Sequence, residues 1–433
     1  MAEVIVIGGG LAGLAAAAAL GGADHRVRLF EARPFLGGRA TSYEAGSETI
    51  DNCQHILLRC CVNLLDFYQR LGVSSDIRFY PEYIFIEPGG RQSVMRAGIL
   101  PAPLHFTESF LTLKFLNLPE KLAVMRGLLA IGRESRRADL DQITMRQWLD
   151  DHRQPPRAIE RFWRQVLVSA ISEEPERIAA LHGFQVFRLA FLATRDAYEM
   201  GVPSVPLREL YRAEAWKKIG DVEMQLRAPV DRIAIESNEV RCLQAAGSEY
   251  RADYYVCALP FERLAPLDLP IDVTGLTHAP ITGIHLWFDR PVIDLPQATL
   301  LDRTIQWIFN KSDGRYVQLV VSASHSLIPM PRADVISLAL RELAEFFPAV
   351  RDAKLEKAHV VKEVRAVLSP QPGLESRRPV TRTSIRNLFL AGDWTRNGWP
   401  AIMEGAVRSG YLAAEAVTEA AGAPRKFLRP DIA

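Results

Sequence analysis

Three glycines near the amino terminus have the spacing of a dinucleotide-binding turn. Gly8, Gly10 and Gly13 follow a short apolar run at residues 4–7 and open an alanine-rich stretch at residues 11–20, which predicts a strand, a turn and a helix. Backbone without side chains can approach a pyrophosphate there, and the first amides of the helix can bind it. Glu31 ends the next apolar run, where an acid accepts hydrogen bonds from ribose hydroxyls. Since an acid repels a 2′-phosphate, the pattern favours NAD or FAD over NADP.

A second glycine pair favours FAD, the longer of these two dinucleotides. Gly37 and Gly38 lie in the segment PFLGGR, directly after the predicted ribose-binding strand, where a longer cofactor would still be passing. Near the other end of the chain, an apolar run at residues 388–391 leads into Gly392, Asp393 and a helix predicted up to residue 420. The first amides of that helix are predicted to face the flavin end of FAD.

The predicted cofactor-binding residues come from both ends of the chain and from one central strand. They are Gly8, Gly10, Leu11, Ala12, Gly13, Glu31, Ala32, Gly38, Arg39, Val230, Gly392, Asp393, Ala401, Ile402 and Met403. No cysteine follows Cys257, so we expect no thioether from the carboxyl-terminal segment and a non-covalent FAD. The sequence has no second GxGxxG segment for NAD(P)H, so it does not identify the electron donor.

The composition excludes several classes of protein. Lysine and arginine total 52 against 51 acidic residues, and the net charge of +1 gives no global attraction to nucleic acid. The five cysteines form neither CxxC pairs nor a disulfide framework, so we predict no metal site and a cytoplasmic protein. The segment MAEVIVIGGG lacks the features of a signal peptide, and residues 11–20 are too few to cross a bilayer. Peripheral attachment to the inner face of the cytoplasmic membrane stays open.

The chain is long enough, at 433 residues, for two or three packed units. The predicted fold class is α/β (α+β overall), with a discontinuous Rossmann-like FAD-binding domain that contains a mixed sheet and combines residues 1–75, 205–275 and 380–433. Residues 76–204 and 276–379 form the predicted substrate-binding domain, whose helical part covers residues 106–204. Individual patterns predict a helix over residues 58–71, a strand over residues 222–230 and a mostly helical block over residues 106–215.

Several segments carry a resemblance to a known family. GGGLAG, FEARPFLGGR and AGDWTRNGWPAIMEGAVRSG resemble the FAD-dependent amine oxidase and phytoene desaturase superfamily at both ends of the chain. IDNCQHILL, FWRQVLVSAISEEPERI and VPLREL are similar to its squalene-associated branch, the hydroxysqualene dehydroxylases of bacterial hopanoid biosynthesis. The resemblance covers nearly the whole chain. Cys53, Arg59 and Cys61 depart from the branch pattern, in which glycine, glycine and an aromatic residue are expected.

This resemblance implies reduction of the allylic alcohol hydroxysqualene to squalene, with hydride supplied by reduced flavin. A general acid close to the hydroxyl would speed its departure. Asp51 and His55 are the candidates, and Asn52 and Gln54 are their hydrogen-bonding neighbours. The alternative role for this DNCQH segment is to cradle FAD or the edge of the sheet through backbone and amide contacts.

Two other functions fit the same sequence. A carotenoid- or squalene-type desaturase would run hydride transfer in the opposite direction, from substrate to oxidised flavin. A non-catalytic carrier of prenyl lipids has a similar fold, although intact Glu31, Gly392 and Asp393 favour retained flavin.

Residues 110–133 bear on how a lipid substrate would reach the protein. They mix many leucines with Lys114, Lys121, Arg126 and Arg133. This composition is typical of an interfacial helix pair at a membrane surface. It is equally typical of a buried helix in the substrate-binding domain, because a helix that packs on a core is also amphipathic.

Overall fold

The computed structural model describes residues 1–46 and 48–432 as a mixed α/β fold, which confirms the predicted fold class. Its strands are β1 (Glu3–Ile7), β2 (Arg26–Glu31), β3 (Ser42–Ala45), β4 (Glu48–Asp51), β5 (Leu57–Leu58), β6 (Ile77–Tyr80), β7 (Glu82–Ile86), β8 (Gln92–Arg96), β9 (Met200–Pro203), β10 (Val222–Leu226), β11 (Val230–Glu236), β12 (Glu239–Ala245), β13 (Ser248–Tyr250), β14 (Tyr254–Cys257), β15 (His278–Phe288), β16 (Gln297–Leu300), β17 (Trp307–Ser312), β18 (Tyr316–Ser322), β19 (Leu355–Leu368) and β20 (Leu388–Leu390). Its helices are α1 (Leu11–Gly21), α2 (Val62–Arg70), α3 (Thr107–Thr112), α4 (Leu118–Glu134), α5 (Met145–Asp151), α6 (Pro156–Ala158), α7 (Gln165–Ile171), α8 (Ala180–Val186), α9 (Ala213–Trp216), α10 (Arg332–Phe346) and α11 (Met403–Ala420).

A parallel sheet in the order β10-β2-β1-β14-β20 joins strands from both ends and the middle of the chain. Strand β1 is buried on both faces, as its continuous apolar run predicts. Helix α1 is buried along its whole length and packs against α11. A methyl group on Gly410 of α11 would lie 2.2 Å from the carbonyl oxygen of Ala12, so small residues set this close crossing.

A second, larger sheet has seven strands in the order β19-β15-β18-β17-β16-β7-β8. Its residues alternate between two cores, as the period of a strand requires. Ile308 packs with α10 on one side, whereas its neighbours Trp307 and Phe309 pack with the helices α3–α8 on the other. The two cores therefore hold this sheet between α10 and the helical layer.

The helical layer packs around Trp148 and Trp163, which are both fully buried. Helix α4 begins with a capping box, in which the Asn117 side chain and Glu120 satisfy each other's backbone amides. None of the described helices is both long and apolar enough to cross a membrane.

Three of the predicted elements differ from the structure. The helix predicted over residues 58–71 is wrong in its first turn, because Leu57 and Leu58 pair with β9 and α2 starts only at Val62. The strand predicted over residues 222–230 breaks where Arg227 adopts a φ of +55°. The predicted helical block contains β9, which pairs with both β5 and β6. All three depend on partners distant in sequence, which a local pattern does not reveal.

Candidate active site

One large cavity of about 810 Å³ lies between the parallel sheet, the seven-stranded sheet and the helical layer. Both ends of the chain line it, together with the DNCQH segment and aromatic side chains of the seven-stranded sheet. Every predicted cofactor-binding residue except Gly13 lies in its wall.

The glycine turn forms one end of this cavity. Gly8 has a φ of +107°, and a side chain there would meet the Ala258 carbonyl oxygen. A methyl group on Gly13 would lie 1.9 Å from the Gly8 carbonyl oxygen, so Gly13 allows α1 to pack on the turn and does not face the cavity. A methyl group on Gly10, by contrast, would meet nothing closer than 3.9 Å. Gly10 is also the N-cap of α1, whose first amides point at this open space.

The carboxylate of Glu31 closes the turn at the end of β2. One oxygen accepts a hydrogen bond from Gly9 N at 2.7 Å and the other accepts one from Arg33 N at 2.8 Å. Each carboxylate oxygen has a further lone pair. Glu31 therefore holds the turn and keeps acceptor capacity toward the cavity that it lines.

An ion pair in the cavity wall joins the two ends of the chain. Arg39 Nη2 donates to Asp393 Oδ1 at 2.6 Å, and Arg39 Nη1 donates to the Ala366 carbonyl oxygen. Buried Arg378 in turn donates to the backbone oxygens of Asp393 and Trp399. The loop that precedes α11 is thus fixed from two sides.

The DNCQH segment follows β4 and presents Asn52, Gln54 and His55 to the cavity. Asn52 Nδ2 donates to the Arg39 carbonyl oxygen at 2.6 Å, which leaves Asn52 Oδ1 as an acceptor 3.0 Å from His55 Nε2. The proton of His55 therefore resides on Nε2, and Nδ1 is the acceptor of the neutral ring. Burial lowers the pKa of His55 to about 4, and Arg39 and Lys311 add to the shift. The imidazole is neutral at physiological pH.

Asp51 lies behind the cavity wall and does not line it. Its carboxylate accepts hydrogen bonds from Ser42 Oγ at 2.6 Å and from Leu207 N at 3.0 Å. The Lys311 ammonium lies 3.4 Å from the other oxygen of Asp51 and donates to Gln54 Oε1 at 2.9 Å. Asp51 is thus connected to the cavity residue Gln54 through Lys311.

Sequence reasoning did not identify three charged residues at this site. Lys311 is on β17, Glu363 is on β19 with a carboxylate oxygen 3.5 Å from Asn52 Nδ2, and Glu404 is in the first turn of α11. Glu363 and Glu404 line the cavity. The only available signal for Lys311 was the period of β17, in which Lys311 follows Trp307 and Phe309 at spacing two.

Glu404 is a buried carboxyl at the start of two helices. It accepts hydrogen bonds from Asn63 N and Leu64 N in the first turn of α2, and from Asn63 Nδ2 at 2.8 Å. Burial nonetheless raises the pKa of Glu404 to about 7.

The residues present fit FAD. The space beyond Gly10 and the α1 amides suits a pyrophosphate, Glu31 suits a ribose, and the Arg39–Asp393 pair lines the same cavity. Ala401, Ile402 and Met403, at the start of α11, line the wall where the second helix N-terminus was predicted to face the flavin.

Comparison with known proteins agrees with this fit. The family model "Flavin containing amine oxidoreductase" matches residues 11–418. A 15-cis-phytoene desaturase from an Oncidium hybrid cultivar is 27% identical over 96% of this chain and 78% of its own length. The 15-cis-phytoene desaturase of Synechococcus elongatus is 26% identical over 96% of this chain and 95% of its own length. An oxidoreductase structure from Methanosarcina mazei has a TM-score of 0.73 at 17% identity, over 94% of this chain and 98% of that one, which shows a shared fold.

The family model covers nearly the whole chain, and the cavity has the features that FAD requires. The protein belongs to the flavin containing amine oxidoreductase family and is an FAD-dependent oxidoreductase.

Proposed function

We propose that this oxidoreductase reduces hydroxysqualene to squalene. The observation that carries the proposal is a cluster of polar groups in a cavity that aromatic side chains also line. Asn52, Gln54 and His55 form this cluster beside the Arg39–Asp393 pair. A hydrocarbon substrate needs no such partners, whereas the hydroxyl of an alcohol does, because an unpaired polar group is costly to bury.

The rest of the wall suits a long apolar chain. Tyr83, Phe85, Phe191, Trp307 and Phe309 line the cavity on the side of the seven-stranded sheet and the helical layer. Apolar walls with a few placed polar groups orient a ligand of mixed character. A triterpene alcohol has this character.

The neutral His55 is not suited to donate a proton from an imidazolium. We propose instead that His55 Nδ1 accepts a hydrogen bond from the substrate hydroxyl and fixes its direction. The Lys311 ammonium, held by Asp51 and joined to Gln54 Oε1 at 2.9 Å, supplies positive charge that favours departure of the oxygen. Asp51 is then a positioning residue for Lys311.

The reaction breaks the allylic carbon–oxygen bond, and the oxygen leaves as water after it takes up one proton, which comes from solvent. Reduced FAD, when bound, would supply the hydride that reaches the allylic carbon and would lose two electrons to the substrate. The protein's part is to orient the substrate and keep bulk water away from the allylic carbon. An external electron donor of unidentified chemical class must reduce FAD again.

Anaerobic mixing of photoreduced enzyme with hydroxysqualene tests this reaction directly. We expect flavin reoxidation to match squalene formation one to one, with flavin absorbance and mass spectrometry as the two readouts. The variant His325→Gln, at a histidine that does not line the cavity, serves as a control for histidine loss. Reduced flavin that persists in the presence of substrate would refute the dehydroxylation.

Carotenoid-type desaturation is the second candidate. It is favoured by the similarity to two phytoene desaturases across nearly the whole chain. The reaction would remove two hydrogens from adjacent carbons and reduce oxidised FAD. Anaerobic bleaching of oxidised enzyme by phytoene or squalene, with a new double bond in the product, would support this candidate.

Either substrate class is confined to lipid phases in a cell. We therefore propose that the protein collects its substrate from a membrane surface, on the cytoplasmic side.

A further inference from the structure

The helical layer carries an exposed apolar face. Eight of the thirteen large apolar side chains that are exposed among the described residues fall between residues 99 and 129, so they form one surface and are not scattered. This apolar face consists of Ile99, Leu100, Leu104, Leu111, Leu118, Leu122, Met125 and Leu129.

Helix α4 presents leucine to solvent in a regular pattern. Leu118, Leu122, Met125 and Leu129 follow one another at spacings of four, three and four, which is one stripe of a helix. Their exposed fractions are 63%, 49%, 38% and 55%. The opposite side of α4 is already used, since Gly127 packs on Trp163 and Val124 lies in the core. The exposed stripe therefore has no role in packing this domain.

The segments of the apolar face lie next to each other. Lys121 is buried and its Nζ donates to the Leu111 carbonyl oxygen, which ties the end of α3 to the first turn of α4. Ser109 Oγ donates to the Arg96 carbonyl oxygen, and Gly98 N donates to the His105 carbonyl oxygen, which holds the loop of Ile99 beside α3.

Basic side chains surround this face. Lys114, Arg126 and Arg133 are exposed in the same region, whereas Glu108 is the exposed acid between residues 98 and 133. Apolar side chains with a basic rim match a bilayer that has anionic headgroups. A two-fold contact with a second copy would bring the same basic rims together, which disfavours that occupant.

The face also continues into the cavity. Phe106, between Leu104 and α3, is half-buried and packs on Phe191 with ring centroids 6.0 Å apart. Phe191 lines the cavity and packs in turn on Tyr83, another cavity residue. Aromatic contacts thus run from Phe106, which is next but one in sequence to Leu104 of the apolar face, to the cavity wall.

We propose that the apolar face docks on an anionic lipid bilayer and that lipid substrate enters the cavity beside Phe106. The identity of that substrate rests on the proposed function, but the docking does not.

Co-sedimentation of the FAD-loaded enzyme with vesicles tests the docking. The probes are vesicles of phosphatidylcholine alone and of phosphatidylcholine mixed with phosphatidylglycerol. We expect binding to the mixed vesicles, weakening as salt rises. The double variant Leu122→Gln/Leu129→Gln should bind the mixed vesicles roughly tenfold more weakly or worse. The reason is that two apolar side chains, which move from water into the bilayer when the enzyme binds, have been replaced by polar ones. Glutamine keeps helix propensity, so α4 should stay folded by circular dichroism.

A matched control replaces two exposed valines outside the face, Val364→Gln/Val380→Gln, and should bind vesicles as the unaltered enzyme does. Equal binding of the two double variants would overturn the proposal, as would enzyme that stays in the supernatant at low salt. A dimer in light scattering that Leu122→Gln/Leu129→Gln converts to monomer, without vesicle binding, would assign the face to a second copy. Vesicle binding through this face without squalene formation would refute the proposed substrate and leave the docking intact.

Discussion

At the scale of single residues, the site combines groups whose protonation is set by burial. His55 and Glu404 both line the cavity, and burial shifts each toward its neutral form. The histidine pKa falls and the carboxyl pKa rises, so both shifts keep charge out of the wall near the substrate. The groups around the DNCQH segment that do carry charge include two ion pairs, Arg39–Asp393 and Lys311–Asp51.

Replacement of His55 by glutamine should lower turnover roughly tenfold or more, the effect of one lost hydrogen bond to substrate, while FAD content stays the same. In the unaltered enzyme, kcat/KM should hold steady as pH falls through about 6.5, the usual histidine value, and decline only as it nears the His55 pKa of about 4. The value of kcat/KM falls at low pH because protonation of His55 removes the Nδ1 acceptor. Full activity of His55→Gln would contradict the assignment, and loss of FAD would favour a role of the segment in cradling the cofactor.

Replacement of Glu404 by glutamine should change how stability depends on pH. The folded pKa of about 7 exceeds the usual value, so stability is complete below about 4.5 and declines as pH rises to about 7. The decline amounts to about 3 kcal/mol in the free energy of unfolding. Urea unfolding at several pH values measures it, and Glu404→Gln should remove this part of the slope.

The matched control for Glu404 is Glu419→Gln, on the same helix and exposed. It should leave the pH dependence between about 4.5 and 7 nearly unchanged. Identical slopes for all three proteins would show that Glu404 is ionised in the folded state and would contradict the prediction.

At the scale of elements, two helices from opposite ends of the chain depend on a close approach. Helices α1 and α11 cross where Gly410 meets Ala12 and Ala15, and both helices start at the cavity wall. The crossing therefore sets how far apart the N-termini of α1 and α11 lie in the cavity that would hold FAD.

The substitution Gly410→Ala should destabilise the protein by about 1–3 kcal/mol, since the added methyl group would approach the Ala12 carbonyl oxygen to 2.2 Å. Thermal unfolding gives the measurement. The control Gly132→Ala, on exposed α4 with open space around it, should be neutral or stabilising by up to about 1 kcal/mol. Equal effects of the two substitutions would mean that the crossing relaxes easily.

At the scale of the whole molecule, the cavity is built from segments far apart in sequence. Arg39 and Asp393 are 354 positions apart and form one ion pair at 2.6 Å. FAD bound along this wall would contact the amino-terminal turn, the central strand at Val230 and the start of α11 together. Bound FAD would therefore add to the contacts, such as the Arg39–Asp393 pair, that already hold these distant segments together.

Removal of FAD should lower the Tm, and added FAD should restore it. Free FAD at about a hundred times its Kd should stabilise the folded state by about 2.7 kcal/mol. Differential scanning calorimetry over a series of FAD concentrations measures the shift. A Tm that does not depend on FAD would mean that the folded and unfolded chains bind it equally, contrary to a cavity that exists only in the folded state.

The sequence by itself determined the cofactor and the parts of the fold that local patterns encode. The glycine spacing, the buried run of β1 and the acid at Glu31 lie within one strand–turn–helix–strand unit, so their roles follow from short-range geometry. The family was predictable for the same reason, because its segments are local. The DNCQH segment was identifiable as a polar cluster, but its surroundings were not.

Only the tertiary structure decided which groups surround that cluster. Lys311 lies on β17 and is 257 positions from Gln54, its partner in the cluster. Glu363 lies on β19 and is 311 positions from its partner Asn52. The structure also turned Asp51 away from the cavity toward Ser42 and the backbone of Leu207, and left the leucine stripe of α4 on the outside. Pairing between distant strands and the choice of buried helix face depend on how the whole chain packs, and no local period in the sequence carries that information.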